Sequence, residues 1–411
     1  MNSCVQNVAA KKTVVKSASI LFISHDASRT GAPIFLTSFL RWFRQNQQTP
    51  FRVLVGGSGR GSRALYADFK SLGPMDTFEP ATLFFKVLRR LNATDTYRSH
   101  HLSALRKKLL NANVRLIYVN TIATGEILEF LSFLDCPVIC HVHELESIIR
   151  FYGEENMGLV KKYTSVYIAA SRAVKVNLMA NHGIPEDRIQ TVHEFIPLSE
   201  TGFARTVDSR AAVLQELRLP AGSKLILNSG YIPQERKGVD LFLKVAEKVT
   251  QRYPAGDVHF VWVGGRSAFI EQMRKEVEAL SLKNSVHFIG SKPDVTPYYE
   301  ASDVFMLTSR EDPYPLVMLE AASHGKPIVC FGNSGGAPEF VEDDAGFVVP
   351  GFDVAKMAER IIDLLSSPDL SNRMGAIARR KVFDRHDLTV VAPTIAKIIQ
   401  EKLSLATRER T

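Results

Sequence analysis

The sequence predicts an α/β protein made of two doubly wound, Rossmann-like domains that face a cleft. Short apolar runs of strand length alternate along the chain with amphipathic stretches of helix length. This alternation lapses once, around residues 194–210, and then begins again. A chain of 411 residues also exceeds what one hydrophobic core usually serves, which favours two domains of about 200 residues each.

The first half contains five apolar runs that indicate buried parallel strands, because such strands are covered on both faces and need not alternate with polar residues. These runs are Ser19–His25, Phe51–Gly57, Val114–Asn120, Cys136–Glu144 and Ser165–Ser171. Amphipathic segments such as Ala32–Gln45 lie between them and predict the covering helices. Residues 1–200 are therefore expected to form the N-terminal domain.

The second half repeats this pattern with six further strand candidates. They are Lys224–Gly230, Val258–Gly265, Ser285–Gly290, Asp303–Ser309, Lys326–Gly332 and Ala345–Pro350. We expect a second domain over residues 201–385 and a last helical segment, residues 386–411, that returns to the first domain. In two such domains, ligands bind at the carboxyl ends of the strands, along the cleft.

Composition is that of an ordinary globular protein, with 45% hydrophobic and 23% charged residues. No run of about 18 apolar residues predicts a membrane span. Residues 1–20 also lack the apolar core of a signal peptide. The four cysteines have no metal-ligand spacing, and Cys136 and Cys140 lie in a strand-like run, where we expect buried free thiols. A cytoplasmic location is the expectation.

The excess positive charge belongs to the first half, which holds 24 Lys/Arg against 16 Asp/Glu, whereas residues 201–411 hold 27 of each. Much of it lies in the basic, aromatic segment Leu83–Leu110. Such a segment can contact an anionic membrane surface, here the inner face of the membrane, or an anionic substrate. A solvated helical face is an equally good interpretation. No zinc-finger or RNA-binding signature occurs, so nucleic acid is not an expected partner.

The segment Thr308–Pro327 predicts an anion site at a helix N-terminus. Pro315 suits the first position of a helix that can run to Gly325. The N–H groups that follow Pro315 then lack intrahelical partners and lie at the positive end of the helix dipole. They belong to Leu316, Val317 and Met318.

Two acids flank this predicted anion site. Asp312 precedes the helix, and Glu320 lies about one and a half turns inside it. They could contact hydroxyl groups on either side of a bound phosphate. The alternative is an acid-rich helix N-terminus that only complements the dipole.

Two further loops follow predicted strands and carry groups that could bind a diphosphate. Arg236 and Lys237 precede Gly238, and two cations beside a glycine turn suit a diphosphate, although surface cations are common in loops. In the other loop Gly335 and Gly336 would let backbone N–H groups approach a ligand. Glu339 opens the helix after them, and the alternative there is a plain glycine turn.

In the first domain, Gly31 lies in the loop after the first predicted strand, which lacks the full G-x-G-x-x-G spacing of a dinucleotide site. His143 lies at the end of the fourth predicted strand, and alternation places it on the same face as His141, so the sequence does not separate the two. No G-x-S-x-G motif supports serine catalysis, and no cluster has metal-ligand spacing. Asn92 matches a glycosylation acceptor, which matters only in a secreted chain.

Together these segments resemble the retaining glycosyltransferases of GT-B fold in family 4, also called glycosyltransferases group 1. The strongest match is residues 312–329, similar to the E-x7-E segment of the family, with Asp312 and Glu320 at the two acid positions. Further matches, in family order and spacing, are residues 236–243, 261–265, 285–309 and 334–349. The first domain matches more loosely, near Gly31 and His143.

The resemblance implies a donor nucleotide-diphosphate sugar held mainly by the second domain and an acceptor held mainly by the first. Glu320 would hold the ribose, Lys237 and the N–H groups of Val317 and Met318 the diphosphate, and Asp312 the donor sugar. Glu339, Gly335 and Gly336 would lie nearby, and His143 would contact the sugar from the opposite domain. Two positions depart from the family pattern: Asp312 replaces a glutamate, and Tyr231 stands where the family often has an arginine, which Arg236 could replace.

The sequence therefore predicts a retaining, metal-independent hexosyltransferase without a cofactor, whose acceptor is a saccharide or a lipid-linked sugar in surface polysaccharide synthesis. A catalytically weak GT-B partner subunit or nucleotide-sugar binder is the alternative, motivated by the two departures. A nucleotide-sugar epimerase is a third candidate, and product analysis would separate it. The nucleotide base, sugar, acceptor, linkage and oligomeric state are not specified.

Overall fold

The computed structural model describes residues 17–57, 64–79, 95–198, 208–231, 235–253 and 256–408. The first part of the basic segment and Asn92 lie outside these residues. Within them the chain forms two parallel sheets with helices on both faces, so the predicted fold class is confirmed.

The first sheet has seven parallel strands in the order β3-β2-β1-β4-β5-β6-β7. The strands are β1 (Ser19–Ser24), β2 (Phe51–Val55), β3 (Met75–Thr77), β4 (Val114–Val119), β5 (Val138–Val142), β6 (Val166–Ala169) and β7 (Ile189–Thr191). The described helices are α1 (Gly31–Asn46), α2 (Tyr66–Leu72), α3 (Asp95–Asn111), α4 (Gly125–Leu131), α5 (Glu146–Tyr163) and α6 (Arg172–His182). The five predicted strands are present; β3 and β7 were missed because three residues at a sheet edge leave no readable pattern.

The second sheet has six parallel strands in the order β10-β9-β8-β11-β12-β13, and each corresponds to a predicted strand. They are β8 (Lys224–Ser229), β9 (Val258–Val263), β10 (Val286–Gly290), β11 (Val304–Leu307), β12 (Ile328–Phe331) and β13 (Gly346–Val349). The helices are α7 (Ser209–Leu217), α8 (Val239–Thr250), α9 (Ser267–Ala279), α10 (Thr296–Ala301), α11 (Leu316–Ser323), α12 (Ala337–Val341), α13 (Val354–Ser366), α14 (Pro368–Arg385) and α15 (Leu388–Arg408).

The chain crosses between the sheets at two adjacent points. Ile196 N donates to His386 O at 3.0 Å, and Leu388 N donates to Ile196 O at 3.1 Å. After the second crossing α15 lies against α1 and β4, and its buried face, including Ile395 and Ile399, joins the core around Phe35. This packing fixes the two sheets to one another beside the cleft.

Helix α3, the described end of the basic segment, is largely exposed and packs through Leu105 and Leu109. In the part of the chain that the structure describes, no helix is long and apolar enough to cross a membrane.

Candidate functional site

The carboxyl ends of the two sheets meet across the cleft, where two carboxylates of the second domain contact helix N-termini of the first. Glu311 Oε1 accepts from the backbone N–H of Ser147, at the start of α5, at 2.9 Å and from its Oγ at 2.7 Å. Glu339 Oε2 accepts from Arg172 N at 2.9 Å, and Oε1 from Ala173 N at 2.8 Å, at the start of α6. Both contacts satisfy N–H groups that have no partner within their own helix.

The loop after β11 buries Asp312 beside the two predicted cations. Lys237 Nζ donates to Asp312 Oδ2 at 2.5 Å, and Ser309 Oγ donates to the same oxygen at 3.3 Å. Arg236 Nη1 lies 4.0 Å from it and donates to Glu311 O at 3.2 Å. Two cations thus share the Asp312 carboxylate.

Helix α11 begins one residue later than predicted. Pro315 is its N-cap, because its ψ of 114° is extended rather than helical, and the helix ends at Ser323 instead of continuing to Gly325. The Met318 N–H donates to the Pro315 carbonyl at 3.1 Å, so the prediction that it is unpaired is wrong: a tight first turn satisfies it. The predicted anion site is thereby reduced to the N–H groups of Leu316 and Val317.

Glu320 lies on α11 and accepts a hydrogen bond from the Tyr299 hydroxyl at 2.7 Å. Burial raises the pKa of this carboxyl, and the Tyr299 hydrogen bond only partly offsets the rise. A second oxygen of Glu320 is available for a ligand hydroxyl, since Tyr299 binds Oε2.

The glycines of the predicted ligand loop bring two protein loops together. A Cβ at Gly335, whose φ is 108°, would lie 2.1 Å from Asp312 O, and one at Gly336 would lie 2.2 Å from Pro313 O. The Gly336 N–H, which we predicted to approach a ligand, instead donates to Asp312 O at 3.0 Å. These glycines fix the Asp312 loop because no larger residue permits that contact.

Glu339 is also committed to protein contacts. Beyond the two N–H groups of α6, its Oε2 lies 3.0 Å from His193 Nε2. Burial would raise the pKa of Glu339, but the hydrogen bonds from His193, Arg172 and Ala173 lower it. Its predicted place among the donor-binding residues stays a prediction.

On the first-domain side, Gly31 opens α1, and a Cβ there would lie 3.9 Å from Leu316 Cδ1 of α11. The predicted donor loops of the two domains therefore face each other. His141 lies in β5 and His143 directly follows it; the two rings lie on the same side, as alternation predicted, with ring centroids 4.1 Å apart. Both ring nitrogens of His143 contact protein oxygens, of Glu194 and Asn120.

Sequence reasoning missed Glu194, Asn120 and His386. Asn120 ends a predicted strand, a position where side chains reach the cleft, and that signal could have identified it. Glu194 and His386 lie at the two crossings between domains, where no periodic pattern exists. Among the described residues, no group of three or more His, Cys, Asp or Glu side chains could hold a metal ion.

Known proteins resemble this chain in sequence and fold. Residues 209–381 match the family model of glycosyl transferases group 1. An uncharacterized glycosyltransferase of Haemophilus influenzae is 32% identical over 158 residues, 38% of this chain and 44% of that protein. A GDP-mannose-dependent monoacylated alpha-(1-6)-phosphatidylinositol monomannoside mannosyltransferase of Corynebacterium glutamicum is 28% identical over 207 residues, 48% of this chain and 52% of that protein. The chain thus spans about half the length of these relatives.

The crystal structure of Anabaena Alr3699/HepE in complex with UDP and glucose covers 93% of this chain and 100% of its own, with a TM-score of 0.74 and 20% identity. At that identity the likeness concerns the fold. The architecture is the two-domain GT-B fold, with the family match confined to the second domain.

Proposed function

We propose that the chain is a glycosyltransferase that moves a sugar from a nucleotide-diphosphate sugar to a saccharide or lipid-linked acceptor. The observation that carries this is the pair Arg236 and Lys237, held by Asp312 next to the N-terminus of α11. Two cations beside open N–H groups suit a diphosphate. The match of residues 209–381 to the glycosyl transferases group 1 model supports the same assignment.

In this proposal the donor's C1–O bond to phosphate breaks while the acceptor oxygen bonds to C1 on the same face, which retains the anomeric configuration. The acceptor's proton passes to the departing phosphate oxygen. Lys237 and Arg236 stabilise the negative charge that develops on the diphosphate, with no divalent metal in that role. Glu320 holds the ribose, and Asp312 orients the donor sugar through its position before α11.

The acceptor belongs to the first domain, whose residues 1–200 hold the chain's excess positive charge. We assign it to a saccharide or lipid-linked sugar of a surface polysaccharide, presented at the inner face of a membrane. The Corynebacterium relative, whose name gives a phosphatidylinositol monomannoside, supports a lipid-linked acceptor. Basic segments bind anionic lipid surfaces, which would concentrate such an acceptor.

A second candidate is a nucleotide-sugar binder or partner subunit with little activity. The 2.5 Å contact between Lys237 and Asp312 favours it, because each group already satisfies the other. A donor that binds without transfer or hydrolysis would identify this function.

The test is a thermal-shift screen with UDP-, GDP-, ADP- and dTDP-sugars in the presence of EDTA. A ligand that binds the folded state raises its apparent stability, so one donor should raise Tm. Glu320→Ala should abolish that rise, whereas the exposed Glu278→Ala should keep it. Incubation with acceptor mixtures should then release nucleoside diphosphate, and NMR of the product gives its anomeric configuration. No shift with any donor at millimolar concentration would contradict the proposal.

A further inference from the structure

The ring of His143 lies between two oxygen atoms. Its Nδ1 contacts Glu194 Oε1, and its Nε2 lies 3.1 Å from Asn120 Oδ1. The side chains of His143 and Glu194 are each 6% exposed. Water therefore has little access to either ring nitrogen, and the protein oxygens decide the protonation of the ring.

The orientation of Asn120 is fixed by a second contact. Its Nδ2 donates to Ala32 O at 2.7 Å, in the first turn of α1. A carbonyl oxygen only accepts, so the amide group on that side must be the NH2. The oxygen of Asn120 therefore faces His143, and Nε2 must carry a proton.

The other nitrogen shares a proton with Glu194. Carboxylic acids release their proton at lower pH than imidazole, so the proton belongs on Nδ1 and the pair is imidazolium and carboxylate. Burial alone would lower the pKa of His143, but the charge of Glu194 and its hydrogen bond outweigh burial and raise it.

The other groups around the ring fit this charge. The Glu144 carboxylate accepts the backbone N–H of His143 at 2.9 Å. His141 is uncharged, because burial lowers its pKa well below the ordinary value, and its Nδ1 lies 2.7 Å from the Tyr118 hydroxyl. From α1 the ring meets Phe35, which has no charge. Glu194 is thus the one carboxylate that contacts a ring nitrogen of His143 in the described part of the chain.

Glu194 also connects this ring to the second domain. Its carbonyl oxygen lies 2.9 Å from His386 Nδ1, and His386 Nε2 lies 3.1 Å from the Tyr314 hydroxyl. Tyr314 follows Asp312 by two residues. A continuous set of hydrogen bonds therefore runs from the Asp312 loop, through His386, Glu194, His143 and Asn120, to the first turn of α1.

We propose that Glu194 is a positioning residue that keeps His143 as a fixed imidazolium beneath the first turn of α1. Through Asn120 the ring holds the turn that contains Gly31, which faces Leu316 across the cleft. If the proposed function holds, this imidazolium, paired with the Glu194 carboxylate, holds the first-domain side of the cleft in place while the diphosphate departs. With a proton on each nitrogen, His143 has no lone pair and does not act as a base.

The direct test is NMR of the full chain labelled with ¹⁵N-histidine, in which imidazolium and neutral rings differ clearly in nitrogen shift. His143 is assigned by the signal that His143→Gln removes. In the wild type it should stay doubly protonated at pH 7.5, and in Glu194→Gln it should be neutral at that pH. Glu186→Gln, an exposed carboxylate of the same domain, should leave the signal unchanged. A neutral His143 in the wild type at pH 7.5 would overturn the inference.

Kinetics supplies a readout that a merely structural role would not move. Glu194→Gln should have a kcat at least 10-fold lower than the wild type at pH 8. Part of this kcat should return at pH 6, where the ring can regain its proton. Glu194→Asp should retain more activity than Glu194→Gln. An equal loss at both pH values would contradict the charge role. The NMR result needs no substrate, so it remains decisive even if no sugar transfer is found, and a failed transfer assay bears only on the proposed function.

Discussion

Lys237 Nζ lies 2.5 Å from Asp312 Oδ2, across a loop contact between residues 75 positions apart. The side chains are 13% and 7% exposed, so this is a buried ion pair and not a surface one. A donor diphosphate that binds Lys237 must therefore share the ammonium with Asp312. The pair fixes the distance between the group assigned to the phosphate and the group assigned to the sugar.

Removing both partners of this pair should cost less stability than the sum of the losses from removing each partner alone. Lys237→Ala leaves the Asp312 carboxylate buried with the Ser309 hydroxyl and the more distant Arg236 guanidinium, which should cost about 3 kcal/mol of unfolding free energy. The double variant Lys237→Ala/Asp312→Ala should lose at least about 1 kcal/mol less than the sum of the single variants, as measured by urea unfolding.

The exposed pair Lys283 and Glu278 is the matched control, and its double-mutant cycle should show no measurable coupling. Strict additivity at Lys237 and Asp312 would show that the two side chains do not interact in solution.

Glu339 should stabilise the contact between the domains. Glu339→Gln keeps the shape but loses the charge and one of two acceptors for the N–H groups of Arg172 and Ala173, which should cost about 1–2 kcal/mol. Hydrogen exchange should accelerate at those two amides.

Because the folded-state pKa of Glu339 is lowered, its contribution to stability is present above the unfolded-state pKa and is lost as the pH falls through the folded-state pKa.

The exposed Glu271→Gln should leave both the stability and the exchange of α6 unchanged. Unchanged exchange at Arg172 and Ala173 in Glu339→Gln would mean that the domains separate readily in solution.

Much of the fold follows from local pattern. The eleven predicted strands are present because buried parallel strands are continuous apolar runs that need no knowledge of their neighbours. Element ends were less accurate: α11 starts one residue late because Pro315 is extended, which depends on the packing of the Asp312 loop against Gly335 and Gly336.

The site was predictable only as a set of loops. Arg236, Lys237 and Asp312 were each identified by their place between a strand and a helix, but their ion pair depends on contacts between distant segments. Likewise, nothing local indicates that Glu339 caps a helix of the other domain or that Glu194 meets His143. Both contacts arise from the docking of the two domains. Docking joins segments that are distant in sequence, so it leaves no periodic pattern in the sequence.

Acid should destabilise the fold through buried neutral histidines. Burial lowers the pKa of His386 to about 4, and likewise the pKa of His324 to about 4, from an ordinary value of 6.5. Between pH 6.5 and pH 4 the unfolded chain binds more protons at these histidines than the folded chain does. The stability is therefore full above pH 6.5 and falls as the pH decreases toward 4, by up to about 3 kcal/mol for each histidine. Thermal unfolding from pH 7 to pH 4 measures this slope.

His386→Gln should lower stability at pH 7, because the bond with Tyr314 is altered, yet flatten the slope between pH 6.5 and pH 4. The carboxylates that titrate in the same range contribute equally to the slopes of the wild type and of His386→Gln, so the difference between the two slopes reports His386 alone. A variant with the wild-type slope would show that His386 is not a buried neutral ring.

The last helix should be part of the first domain's core. Ile399 on α15 is fully buried, and Ile399→Ala should cost about 2–5 kcal/mol. Leu405 lies on the same helix but is 51% exposed, so Leu405→Ala should change stability by less than about 0.5 kcal/mol. Hydrogen exchange of β1 and β4 should increase in the first variant only, and equal exchange in both would contradict the docking of α15.

Gly238 should be essential to the cation loop. Its φ is 65°, and a Cβ there would lie 2.0 Å from the carbonyl oxygen of Thr308, so Gly238→Ala must shift the backbone that holds Lys237. We expect a loss of stability above about 3 kcal/mol, because a displaced buried ion pair adds to the backbone strain. Gly256 also has a positive φ, of 92°, but its Cβ would meet nothing within 4 Å, so Gly256→Ala should cost only about 1 kcal/mol. Urea unfolding of the two variants separates steric contact from backbone strain, and equal losses would show that the Thr308 contact is not tight in solution.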